Sequence, residues 1–134
     1  GLSRGGVQAQ VLIGATLDEK QADALTHLYA RRLSREPLQH ITGVAYFRQL
    51  ELAVGKGVFI PRPETEFVAQ LAIDAIKDAL TAGTANPIAV DLGTGSGAIA
   101  LAMATENPSA KIFAGVLATG KSRRVALFTP TSVA

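Results

Sequence analysis

Apolar and polar residues alternate with two different periods along this chain, and the places where the period changes mark the elements. Ala22, Leu25, Leu28, Tyr29 and Leu33 recur at helical spacing. Ahead of them, Thr16-Leu-Asp-Glu19 has the form of a capping box. Pro37 is expected to stop this helix, because it pushes the preceding residue out of the helical region. Leu50, Leu52 and Val54 then alternate with polar or small residues, and Gly55-Lys56-Gly57 offers a turn toward Val58–Ile60. That pattern predicts a β-hairpin. Pro61 and Pro63 stiffen the exit around Arg62 through their fixed φ. Beyond them, Val68, Leu71, Ala72, Ala75, Ile76 and Ala79 form a helical stripe, with Gly83 as its C-terminal stop.

From Ile88 the pattern changes again. Ile88, Val90 and Leu92 predict a strand, Ala98 to Thr105 a helix, Asn107-Pro108 a turn, and Lys111 to Ala114 a second strand. A strand–helix–strand unit of this kind is nearly always right-handed, with its strands parallel. Three parts follow: a helical segment over 1–43, a hairpin linker over 44–63, and an α/β part over 64–134 whose residues 115–134 diverge. The expected fold class is therefore α/β, an incomplete Rossmann-like unit behind a helical segment and a hairpin.

Candidate chemistry concentrates between the first of these strands and the helix. Asp91 ends the strand, and Gly93, Gly95 and Gly97 alternate with Thr94 and Ser96 before the helix begins. Glycine at those points lets the backbone turn sharply and lets a ligand approach without meeting a Cβ. The helix start adds unpaired amide donors. A tight turn without a ligand is the plainer alternative, since short glycine motifs occur by chance. No Lys-Ser or Lys-Thr follows the last glycine, which excludes a Walker loop, and the G-x-G-x-G spacing departs from the dinucleotide fingerprint. Asp91 is a candidate for the ligand's amino group or, equally, a cap on the loop.

The loop resembles motif I of the class I S-adenosylmethionine-dependent methyltransferases. Phe59-Ile-Pro-Arg-Pro-Glu-Thr-Glu66, preceded by Glu36-Pro-Leu-Gln-His-Ile-Thr-Gly43 and Phe47, resembles the signature of the HemK/PrmC family. The resemblance covers roughly Arg31 to Ala114. It implies a protein-glutamine methyltransferase acting on peptide chain release factors, with S-adenosylmethionine as cofactor. It further implies cofactor contacts from Asp91 and from Gly93, Thr94, Gly95, Ser96 and Gly97. Arg62, Glu64 and Thr65 would border the pocket; the alternative is that Glu64, Thr65 and Glu66 cap the following helix and oppose its dipole. The helical segment would help to hold the release factor.

Two family features are missing. The acid that accepts bonds from ribose hydroxyls, roughly twenty residues beyond the glycine loop, has no counterpart in Ala114-Gly115-Val116-Leu117. The Asn-Pro-Pro-Tyr motif, which in the family orients the glutamine amide, is absent as well, so no catalytic residue is assigned. Asn86-Pro87 and Asn107-Pro108 lack the second proline and the aromatic residue, and read as turns. All eleven acidic residues lie between Asp18 and Glu106, while Lys111, Lys121, Arg123 and Arg124 follow. These observations suggest a sequence whose family continuation is lost after about Ala114, through a shifted reading frame or a truncated gene. Reading the encoding DNA past Ala114 in the other frames for an acid-ended strand and Asn-Pro-Pro-Tyr tests this. The alternative function is an inactive remnant that at most binds a partner.

Composition changes the picture little. The chain has 134 residues, no cysteine and a formal charge of +2, so disulfides and thiolate metal sites are excluded. No apolar run approaches the eighteen or so residues of a membrane span, and no secretory pattern opens the chain. A cytoplasmic location, without membrane or direct nucleic-acid contact, is expected. His27 and His40 read as surface or packing residues rather than metal ligands.

Overall fold

A computed structural model of the chain describes residues 2–116 and 124–128. They fall into two units, Gly1–Ile41 and Thr42–Ala134.

The first unit contains α1 (Arg4–Leu12) and α2 (Glu19–Leu33), followed by the short α3 (Leu38–Thr42). The periodicity did not foretell α1. Ser3 caps it by accepting the Gly6 amide at 3.2 Å. Gly14, at φ +72°, closes its far end, with the Gly14 and Ala15 amides returning to the Val11 and Gln10 carbonyls. At the start of α2 the capping box is not Thr16/Glu19. Asp18 accepts the Gln21 amide at 2.7 Å, and Gln21 accepts the Asp18 amide at 3.1 Å. The same reciprocal chemistry therefore acts two residues later, where the chain actually enters the helix.

The end of α2 also differs in cause. The helix stops at Leu33, four residues before Pro37. Arg35 takes φ +65°, and the Arg35 and Glu36 amides bond back to the Arg32 and Arg31 carbonyls. This left-handed closure ends the helix before proline can act. The Arg31 guanidinium then grips Glu36, with Nε donating to Oε2 at 2.8 Å. The hydrogen-bonded carboxylate holds the already high arginine pKa higher still. The predicted apolar stripe of α2 is exposed at Leu25, Leu28, Tyr29 and Leu33.

The second unit begins with a hairpin of β1 (Val44–Phe47) and β2 (Leu50–Ala53), paired antiparallel with Val44 opposite Ala53 and Phe47 opposite Leu50. The turn is therefore Arg48-Gln49, with Arg48 at φ +52°. The expected turn at Gly55–Gly57 exists as a tight loop, Val58 N–H donating to the Gly55 carbonyl at 2.9 Å, but Val58–Ile60 does not continue as a strand. Phe47 and Leu52 turn inward and are buried, which selects the earlier pairing.

Helix α4 (Thr65–Thr81) follows the Pro-rich exit, and Gly83 closes it at φ +96° as its position suggested. Its buried stripe is rotated from the expected one. Ala69, Ile73 and Ile76 are inside with Ala72 and Leu80 packed against them, whereas Val68 and Leu71 are exposed. An apolar helix presents more than one stripe, and the neighbour selects which is covered.

The expected strand–helix–strand unit is present as β3 (Ile88–Leu92), α5 (Ala98–Glu106) and β4 (Lys111–Val116), with β3 and β4 parallel and Ile88 opposite Lys111. Helix α5 is apolar all round and accordingly buried at Ala98, Ala100, Ala102, Met103 and Ala104. It packs between the sheet, α4 and the hairpin, with Ile112 at 0% exposure beneath it. One further strand, β5 (Arg124–Phe128), lies in the stretch read as divergent and pairs antiparallel with β4, giving the order β3-β4-β5. On the face of β3 away from α5, Ile88, Val90 and Leu92 are exposed. The observed class is thus mixed helix and strand, with a small mixed sheet. Among the described residues no helix is long and apolar enough to cross a membrane, and no cluster of His, Asp or Glu is placed to hold a metal ion.

Candidate functional site

The glycine loop is built by three residues in the left-handed region, Gly93 at φ +78°, Gly95 at +56° and Gly97 at +83°. Side chains rarely adopt that conformation, so the loop's path requires glycine. Two bonds pin the loop to the end of the neighbouring strand: the Gly93 and Thr94 amides donate to the Gly115 carbonyl at 2.8 and 3.2 Å. A third lies within the loop, where Thr94 Oγ1 donates to Asp91 Oδ2 at 2.7 Å. Asp91 thus holds the loop through one carboxylate oxygen, while Oδ1 makes no hydrogen bond among the described residues.

Below the loop, Gly97 N–H donates to the Thr94 carbonyl at 2.8 Å, and the Gly97 carbonyl receives the Leu101 amide at 2.8 Å as the first bond of α5. Gly97 itself serves as the helix N-cap and makes no side-chain cap bond. The amides of the first turn of α5 are therefore left for an outside acceptor, at the positive end of the helix dipole.

Over this loop lies a cavity of about 440 Å³, a size at which small ligands are bound. Asp91, Gly93, Thr94, Gly95 and Ser96 line it from one side. Thr65, from the start of α4, lines it from another. Gly97 lies behind the loop and is buried. Arg62 and Glu64 are exposed and do not line the cavity. Glu64 occupies the N-cap position of α4 without making a cap bond, and Glu66 accepts the Arg48 amide at 2.9 Å instead of capping the helix. Phe59, Pro61, Ala98 and Ile99 complete the lining and were not singled out by sequence. Phe59 and Pro61 belong to the quoted signature segment, so the signal was present but lay on its apolar members. A Cβ on Gly95 would stand 3.7 Å from Phe59 Cβ, in the space between loop and aromatic wall.

The two Asn-Pro pairs have structural work. Asn107 is buried at the end of α5, donating Nδ2–H to the Met103 carbonyl at 3.4 Å. The Pro87 carbonyl receives the Lys111 amide at 2.9 Å, starting the parallel ladder.

A family model, the PrmC N-terminal domain, matches residues 8–43. The release factor glutamine methyltransferase of Streptomyces coelicolor is 61% identical over 85 residues, which is 63% of this chain and 29% of that protein. Its counterpart from Bifidobacterium longum is 52% identical over 84 residues, 63% of this chain and 28% of that protein. A 4-amino-L-phenylalanine/4-methylamino-L-phenylalanine methyltransferase of Streptomyces pristinaespiralis is 37% identical over 97 residues, covering 72% of this chain and 33% of that protein. The chain thus spans about three tenths of the length of the curated relatives it matches. All three of these relatives are methyltransferases by name. The chain is thus similar to the PrmC N-terminal domain over residues 8–43 and to these release factor glutamine methyltransferases over the stretches they match.

Proposed function

We propose that this chain carries the cofactor-binding part of a Rossmann-like release factor glutamine methyltransferase, with S-adenosylmethionine as methyl donor. The observation that carries the reading is the cavity formed by Asp91, Gly93–Ser96 and the start of α5. The donor set suits the amino-acid end of that cofactor. Asp91 Oδ1 is an acceptor for an ammonium group, and the first amides of α5 are donors for a carboxylate. The bare glycines leave room for close approach, and Phe59, Pro61 and Ile99 offer apolar surface to the rest of the molecule. When bound, the cofactor supplies an electrophilic methyl group on a sulfonium.

The ribose end is less well served. The end of β4 meets the loop at Gly115, which has no side chain to accept from a hydroxyl. The peptide substrate is a release factor glutamine by relationship to the more similar relatives. The Streptomyces pristinaespiralis relative, at lower identity, is named for an aromatic amino acid. A cytoplasmic setting follows from the same reading.

Calorimetric titration of the chain with S-adenosylmethionine tests the proposal, read beside a thermal melt. Saturable binding that raises the melting temperature is expected, since a ligand held only by the folded state stabilises it. A cooperative melt with no heat of binding would overturn the cofactor reading.

A further inference from the structure

Arg48 sits at the tip of the β1–β2 hairpin, in a left-handed conformation that costs an L side chain, and it is tied to both helices of the second unit. Its guanidinium makes a two-pronged pair with Glu106, Nε to Oε1 at 2.6 Å and Nη2 to Oε2 at 2.9 Å. The same Nη2 donates to Gln70 Oε1 at 2.8 Å, and Gln70 passes a further bond to Asp74. The Arg48 amide donates to Glu66 Oε1, and Nη1 reaches the Glu66 carbonyl at 3.4 Å. Both charged groups are mostly covered, with 17% and 25% of their side chains exposed. The bond to Glu106 pushes the already high pKa of the arginine further upward.

Two choices here are locally unfavourable. A carboxylate at the last position of α5 opposes the helix dipole, and an arginine replaces the glycine or asparagine that a positive φ favours. The bonds that Arg48 makes to Glu106, Glu66 and Gln70 offset both, which points to a role in the tertiary arrangement. Glu66 adjoins Thr65, which lines the cavity, and Glu106 ends the helix whose first residues, Ala98 and Ile99, line it from the other side. A helix of this length is a rigid rod of about 1.5 Å per residue, so holding its far end sets where its N-terminus points.

We infer that Arg48 is a positioning residue for the loop cavity: by bracing Glu66 and Glu106 together it sets the spacing between the first turn of α4 and the N-terminus of α5. The ligand arm of its test rests on the cofactor reading above; the exchange arm does not. Amide hydrogen exchange on the full chain without ligand is the primary measurement, with the amides of β3 and β4 as internal reference. In Arg48→Ala, amides of α4 and α5 should exchange about tenfold faster or more while the reference amides do not, the effect of losing a charge-assisted pair. Arg48→Lys, which keeps the charge without the fork, should show the same local change. Uniform acceleration across helices and sheet, no acceleration, or full recovery in Arg48→Lys would overturn the inference. In the second arm, Arg48→Ala should bind S-adenosylmethionine about tenfold more weakly than the parent chain; equal affinity would overturn it. A parent chain that binds no cofactor would count against the cofactor reading alone, and the exchange pattern would still decide the role of Arg48.

Discussion

Gly97→Ala separates the geometry of the loop from its chemistry. Gly97 stands at φ +83°, ψ 5°, where the chain turns from the loop into α5. A Cβ there would meet Leu101 Cδ1 at 3.6 Å and Cγ at 3.9 Å, ordinary contacts that require no movement. The cost is therefore conformational, about 1–2 kcal/mol for an alanine held in the left-handed region. That corresponds to a factor of roughly 5–30 in the ratio of folded to unfolded chain. Urea unfolding followed by circular dichroism should show a lower midpoint with an unchanged slope. Gly97→Asn should lose less, because asparagine tolerates this conformation. Since Gly97 does not line the cavity, the folded alanine variant should keep its affinity for S-adenosylmethionine. Gly95→Ala, at φ +56° with its new methyl directed at Phe59, should lose stability and affinity together. An alanine variant as stable as the parent, or an asparagine variant less stable than the alanine one, would refute the reasoning.

Two further substitutions probe other levels of the structure. Ile73→Ala empties a fully buried position on α4 and should cost about 2–5 kcal/mol in the same unfolding experiment; a loss under about 1 kcal/mol would mean the stripe is not packed as described. Gly5→Ala acts in the opposite direction, since it lies within α1 with nothing within 4 Å of the new Cβ. It should raise helicity at 222 nm and stabilise α1 by about 0.5–1 kcal/mol.

The strand–helix–strand unit, the glycine loop and the stop at Gly83 were legible from residue order, because each depends on physics local to a few positions. A run such as Ile88–Leu92 can only be an extended, largely apolar segment, and three alternate glycines before an apolar helix can only turn. The resemblance to the HemK/PrmC family was legible in the same way, in the segments Glu36–Gly43, Phe59–Glu66 and Asp91–Gly97. What the sequence left open is which partner each face meets. Three apolar residues alternate in Leu50–Val54 whichever turn the hairpin uses, and only the burial of Phe47 and Leu52 chose Arg48-Gln49. On α4 either of two stripes could be covered, and α5 took the one through Ile73. Thr16 and Asp18 were both competent caps, and the chain's path into α2 decided for Asp18. The bracing of Glu66 and Glu106 by Arg48 joins residues 18 and 58 positions away in sequence. No local pattern records such a contact; it exists only once hydrophobic burial has brought hairpin and helices together.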